Sequence, residues 1–140
     1  MSSAQPQLHT CFSPALLDQY ELKGAVVVVI DVFRATSTIA AALHNGAAKV
    51  IPVDTVPKAV AIAAATGGLA AGERDGKIAD GLQHGNSPLE YSREFIEGKT
   101  LVLTTTNGTK LLHMALERGA GSIITGSFPN LGAEIGRAHV

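Results

Sequence analysis

Residues Val26 to Ile30 form an unbroken β-branched run that stops at Asp31. A strand without polar alternation has no face to offer to water, so it reads as a central strand buried on both sides, in a parallel sheet beneath helices. The residues that follow mark its exposed end: Asp31, Arg34, and the hydroxyls of Thr36, Ser37 and Thr38, which are placed to cap a helix running to His44. In open α/β sheets, ligands bind at that carboxyl end, where strand termini meet helix N-termini.

The rest of the chain repeats the alternation. Strands are expected at Lys49 to Val53, Leu69 to Gly72, Thr100 to Leu103 and Ser122 to Thr125, with helices over Val56 to Ala65, Pro88 to Ile96 and Lys110 to Arg118. Leu8 to Phe12 reads as a short first strand, and Ser13-Pro14 as the start of a helix through Tyr20. Between Glu73 and Pro88 the glycines at 76, 81 and 85 leave no apolar period, and a structureless stretch of about 15 residues inside a domain is either functional or disordered. Strands alternating with helices favour right-handed crossovers. The fold class expected is α/β, a three-layer α/β/α arrangement with a parallel, mostly parallel or mixed sheet, and residues 1–140 form one domain. A chain of 140 residues that is 46 % hydrophobic can bury one core, and with 4 % aromatic residues that core is aliphatic.

Several classes of function are disfavoured. Net charge is −1 and no basic tract occurs, so the electrostatic footprint of a nucleic-acid binder is missing. No apolar run approaches the roughly 18 residues of a membrane span, and no secretory pattern is present, so a soluble cytoplasmic protein is expected. Cys11, the single cysteine, has no internal disulfide partner, and the five histidines are scattered without zinc spacing, His84 alone being placed in the glycine loop.

Three strands end in small, hydroxylated or glycine-containing turns, a composition that favours anions and phosphate above all. Thr104 to Thr109 is the strongest case, although threonines also serve as strand-edge and capping residues. Arg34 is equally compatible with a solvated helix end, and Glu73-Arg74-Asp75 with a plain charged loop. Read as chemistry, Asp31 and Glu73 end two strands of one sheet and supply hard oxygen ligands of the kind Mg²⁺ takes. Familiar phosphate sites are excluded. There is no G-x-x-x-x-G-K-[ST], the glycines at 67, 68 and 72 do not open a helix, Leu17 stands where a cysteine phosphatase needs arginine, and Phe33 where a paired-aspartate phosphatase needs a second Asp.

Taken together, Val29 to Thr38, Ala71-Gly72-Glu73-Arg74, Gly85 to Glu90, Thr104 to Thr109 and Gly126 to Asn130 resemble the motif series of the 2-phosphosulfolactate phosphatase family. The resemblance implies a Mg²⁺-dependent phosphatase that hydrolyses (2R)-O-phospho-3-sulfolactate to sulfolactate and phosphate, a step of coenzyme M biosynthesis. It implies catalytic roles for Asp31, Arg34, Glu73 and Asn107, with Asp31 and Glu73 on the metal. Binding of a small phosphorylated organic acid falls to Arg34, Thr36, Ser37, Arg74, Asn86, Ser87, Thr105, Thr106, Asn107, Gly108 and Ser127. Family members are longer, so this chain resembles their N-terminal part, and Gly132 to Val140 does not continue the alanine-rich helix expected after Asn130. With the opposite wall of the pocket unbuilt, these 140 residues alone are expected to self-associate, as a homo-oligomer, or to misfold, with phosphatase activity far below that of a full-length relative. Two other readings stand beside the enzyme: a non-catalytic anion-binding module, and a structural subunit whose sheet a partner chain completes.

Overall fold

Alternation of β-branched runs with alanine-rich segments produces six strands and four α-helices over residues 6–133, the part of the chain that this computed structural model describes. They are β1 (Val26–Ile30), α1 (Ala35–His44), β2 (Lys49–Val53), α2 (Val56–Thr66), β3 (Leu69–Arg74), β4 (Lys77–Ile78), α3 (Arg93–Ile96), β5 (Thr100–Thr104), α4 (Gly108–Glu117) and β6 (Ser122–Gly126). The reading of the C-terminal segment falls largely on residues 134–140, outside the described part. Parallel pairing dominates an open α/β fold. One sheet has the order β2-β5-β3-β4, with β4 alone antiparallel, and β1 pairs in parallel with β6 as a separate two-stranded sheet.

The strand buried on both faces is β5, not β1. Leu101 and Leu103 pack with Ile39, Tyr91, Ile96 and Leu112 on one side, and Val102 packs with Val53, Ala59 and Ala63 on the other. In β1, Val29 is 4 % exposed, whereas Val26, Val28 and Ile30 on the opposite face are 66 %, 46 % and 67 % exposed. The expectation of a doubly covered central strand at 26–30 is therefore corrected. Among the described residues β1 has one strand neighbour, and the helices that reach it, α1 and α4, cover only one face.

Other readings change for local reasons. Leu8 and Phe12 are 94 % and 90 % exposed and form no strand. Pro14–Gln19 is a 3₁₀ helix capped by Ser13. The helix expected from Pro88 is broken into a 3₁₀ turn, Pro88–Glu90, and the single turn α3, because Tyr91 between them turns into the core. Its hydroxyl donates to the Gly85 carbonyl at 2.6 Å, and burial pushes its pKa well above the usual tyrosine range. Tyr91→Phe would leave that buried carbonyl without its partner, so a loss of about 1–2 kcal/mol is expected in urea unfolding.

The glycine loop is not structureless. Asp75 and Gly76, at φ 52° and 78°, make the tight turn of a β3–β4 hairpin. The chain then folds back along β3, with the Gly72 amide donating to the His84 carbonyl at 3.0 Å and the Ala79 amide to the Gly72 carbonyl at 3.2 Å.

Candidate functional site

Asp31 stands at the carboxyl end of β1 with its carboxylate turned towards the backbone N–H groups of Ala35 and Gly108, the first residues of α1 and α4. A carboxylate there offsets the partial positive charge of two helix N-termini. Burial raises its pKa above the ordinary aspartate value and the Glu73 charge raises it further, against the lowering by the two amides. The tight join explains Gly108: a Cβ there would lie 2.5 Å from the Ala35 Cβ and 2.7 Å from Asp31 Oδ2.

Glu73, near the end of β3, is fixed differently. Its Oε1 accepts from the Thr106 amide at 2.8 Å and its Oε2 from the Gly76 amide at 3.0 Å. Burial alone would raise its pKa, but the Thr106 and Gly76 hydrogen bonds and the Arg74 charge outweigh it and hold the carboxyl below the ordinary glutamate value. Two carboxylates from different sheets thus face one cavity with their pKa values displaced in opposite directions. The expectation that their strands share one sheet is corrected.

That cavity has a volume of about 280 Å³ and brings together Asp31, Arg34, Glu73, Asn86, Thr106 and Asn107. Arg34 follows a cis peptide bond, and its Nη2 donates to the Gly76 carbonyl at 3.3 Å. Asn86 is 4 % exposed, and its Oδ1 is buried without a hydrogen-bond partner among the described residues. Asn86 lines the cavity, but that oxygen is closed off from solvent and does not itself face the open space.

The other residues read as binding groups do not line the cavity. The Thr36 hydroxyl accepts from the Asp31 amide at 3.0 Å and the Ser37 hydroxyl donates to the Val32 carbonyl at 2.8 Å, so both shape the β1–α1 turn, and neither caps α1. Thr105 exchanges hydrogen bonds with Thr109, its hydroxyl accepting the Thr109 amide at 3.1 Å. Ser87 caps the 3₁₀ turn after it, and the Ser127 hydroxyl donates to Asn130 Oδ1 at 2.8 Å. Arg74 donates to Thr104 Oγ1 at 2.9 Å, tying β3 to β5. Gly108 adjoins Asp31 behind the wall. Three lining residues were not read from the sequence: Phe33, Asp75 and Gly76. The Asp-Gly pair between Arg74 and Lys77 is the hairpin signal that would have found two of them; Phe33 carries no such signal.

A family model described as 2-phosphosulpholactate phosphatase matches residues 11–139. The chain belongs to the 2-phosphosulfolactate phosphatase family. Its similar relatives include a "Probable 2-phosphosulfolactate phosphatase" of Clostridium perfringens (strain SM101 / Type A), 42 % identical over 89 % of this chain and 51 % of the relative. Proteins of the same name from Thermotoga maritima and Caldanaerobacter subterraneus are 51 % identical over 77 % of this chain and 42 % identical over 84 %. The chain spans about half the length of the curated relatives it matches.

Within this phosphatase family member, the donor set suits a hard cation. No group of three or more His, Cys, Asp or Glu is gathered among the described residues, which disfavours a site built wholly from such side chains. Mg²⁺ commonly takes one or two carboxylates and leaves the rest of its shell to water and phosphate. Asp31 and Glu73 are two carboxylates of that kind on one cavity. No helix among the described residues is long and apolar enough to cross a membrane.

Proposed function

We propose that this chain carries the anion- and metal-binding wall of a Mg²⁺-dependent phosphatase acting on a small phosphorylated organic acid, with (2R)-O-phospho-3-sulfolactate the leading substrate, in coenzyme M biosynthesis. The observation that carries this reading is the meeting of Asp31, Glu73 and Asn86 with Arg34, Thr106 and Asn107 on one cavity. Asp31 and Glu73 would hold the cation, which would neutralise charge on the phosphoryl oxygens when bound. Arg34 presents a planar fork suited to phosphate or sulfonate oxygens, and Lys cannot reproduce it. The Asn107 side-chain amide offers a further donor at the same wall, while the Thr106 side chain hydrogen-bonds Glu73. Phosphoryl transfer relies mainly on positioning and electrostatic stabilisation, and these groups are suited to both.

Phosphate release from phosphosulfolactate with Mg²⁺, with a chelator, and after Mg²⁺ is restored tests the reading. Loss on chelation and recovery on restoration are expected. Turnover unaffected by chelation would remove the metal, and binding of inorganic phosphate without turnover would favour the anion-binding module, a reading supported by the engagement of both Glu73 oxygens with amides. Arg34→Lys is expected to weaken sulfolactate binding by about 1–2 kcal/mol, roughly five- to thirtyfold, because charge is kept but the bidentate geometry is lost. Calorimetric titration checks this; unchanged affinity would show that Arg34 is not the clamp.

A further inference from the structure

The two strands that carry Asp31 and the Gly126 turn leave one face bare. Val29 packs with Ile39, Ala42 and Leu112, and Val27 against Leu17, Leu22 and Ala115, so the inner face of β1 is covered. On the outer face Val26, Val28 and Ile30 are 66 %, 46 % and 67 % exposed, and Val28 pairs with Ile124. Gly126 keeps this face flat: a Cβ there would meet Val28 Cγ1 at 3.0 Å and Ile30 Cγ1 at 3.3 Å. No residue of β1 or β6 is charged. Strands that remain open to water ordinarily carry charges or prolines to prevent association, and parallel sheets are ordinarily covered by helices on both faces.

We propose that this outer face is the docking surface for polypeptide equivalent to the half of its relatives that this chain does not match, and that an amphipathic α-helix of that polypeptide lies across Val26, Val28 and Ile30. Length supports this occupant, since the matched region accounts for only 51 % of the Clostridium relative and 46 % of the Thermotoga one. So does pairing, because parallel strands are joined by crossover helices that lie on a sheet face. The apolar surface continues at the carboxyl end of the pair into Phe33 and Phe128, 90 % and 73 % exposed, and Phe33 also lines the cavity. The same docked polypeptide would therefore reach the cavity mouth.

Hydroxyl-radical footprinting of this chain and of the full-length Thermotoga maritima relative tests the assignment. Val26, Val28 and Ile30 are expected to oxidise several-fold faster here than the aligned positions of the relative, at a rate in this chain that does not change on dilution. Equal rates in the two proteins would overturn the proposal. Protection in this chain that disappears on dilution would also overturn it, because the occupant would then be a second copy. As a second measurement, Val28→Lys is expected to leave the melting temperature of this chain nearly unchanged, while the aligned substitution lowers that of the relative by about 4 °C or more. An unchanged relative would refute the docking.

Discussion

Asp31→Asn is expected to reduce phosphate release by at least about 100-fold while leaving the metal-free protein as stable as before, or more so. The two halves of this expectation have one cause. The carboxylate is held beside Glu73 and partly removed from water, so its native pKa lies above the unfolded value. A raised carboxyl pKa means that the folded protein binds the proton more tightly than the unfolded chain, so ionisation at neutral pH opposes folding. That opposition is present above the native pKa and fades as pH falls through it towards the unfolded value. Asparagine is nearly isosteric and uncharged and removes the opposition, along with the negative charge that a cation requires. Glu73 runs in the other sense: its lowered pKa contributes stability above the unfolded value, lost as pH falls through the native one. Urea midpoints and phosphate release, measured on both proteins from neutral pH to about pH 3, check the pair of statements. A destabilised Asp31→Asn protein would show that the carboxylate holds the β1–α1 turn rather than burdening it.

Gly72→Ala is expected to cost more than about 3 kcal/mol, a large share of the roughly 5–15 kcal/mol that holds a domain folded. A Cβ at this position would lie 2.2 Å from the Thr104 carbonyl oxygen and 2.6 Å from its Cγ2. The obstacle is backbone of the neighbouring strand, so no rotamer change relieves it. β3 would have to leave β5, and the Arg74 bond to Thr104 and the Glu73 bond to Thr106 would go with it. Circular dichroism during thermal unfolding measures the loss; a two-state melt within a few degrees of the parent would show that the strands can separate without penalty.

Most elements were legible because each strand ends in a recognisable stop: Asp31 after β1, Gly67 before β3, the threonines after β5. Which strand lies centrally was not legible. Val26–Ile30 is more apolar than Thr100–Thr104, yet β5 has strands on both sides and β1 on one, and the number of neighbours is decided by tertiary pairing that a five-residue run does not record. The site divides in a similar way. Carboxylates and amides at or shortly past strand ends, such as Asp31, Glu73 and Asn107, do reach the common cavity. Hydroxyls were harder to read, because Thr105, Ser87 and Ser127 satisfy local backbone or capping partners with the same chemistry that would bind an anion. A hydroxyl's sequence neighbours do not say which acceptor or donor it will find.

Glu73 ties two turns to one side chain. Each of its oxygens already holds a backbone amide, one from the hairpin turn and one from the turn that opens α4. A carboxylate oxygen has a second lone pair beyond the one an amide occupies, so a cation at this residue, on the proposed reading, would meet oxygens already fixed in direction and would leave both amide bonds in place. The hairpin and the α4 turn both line the cavity, so loss of this one side chain would loosen two lining segments together.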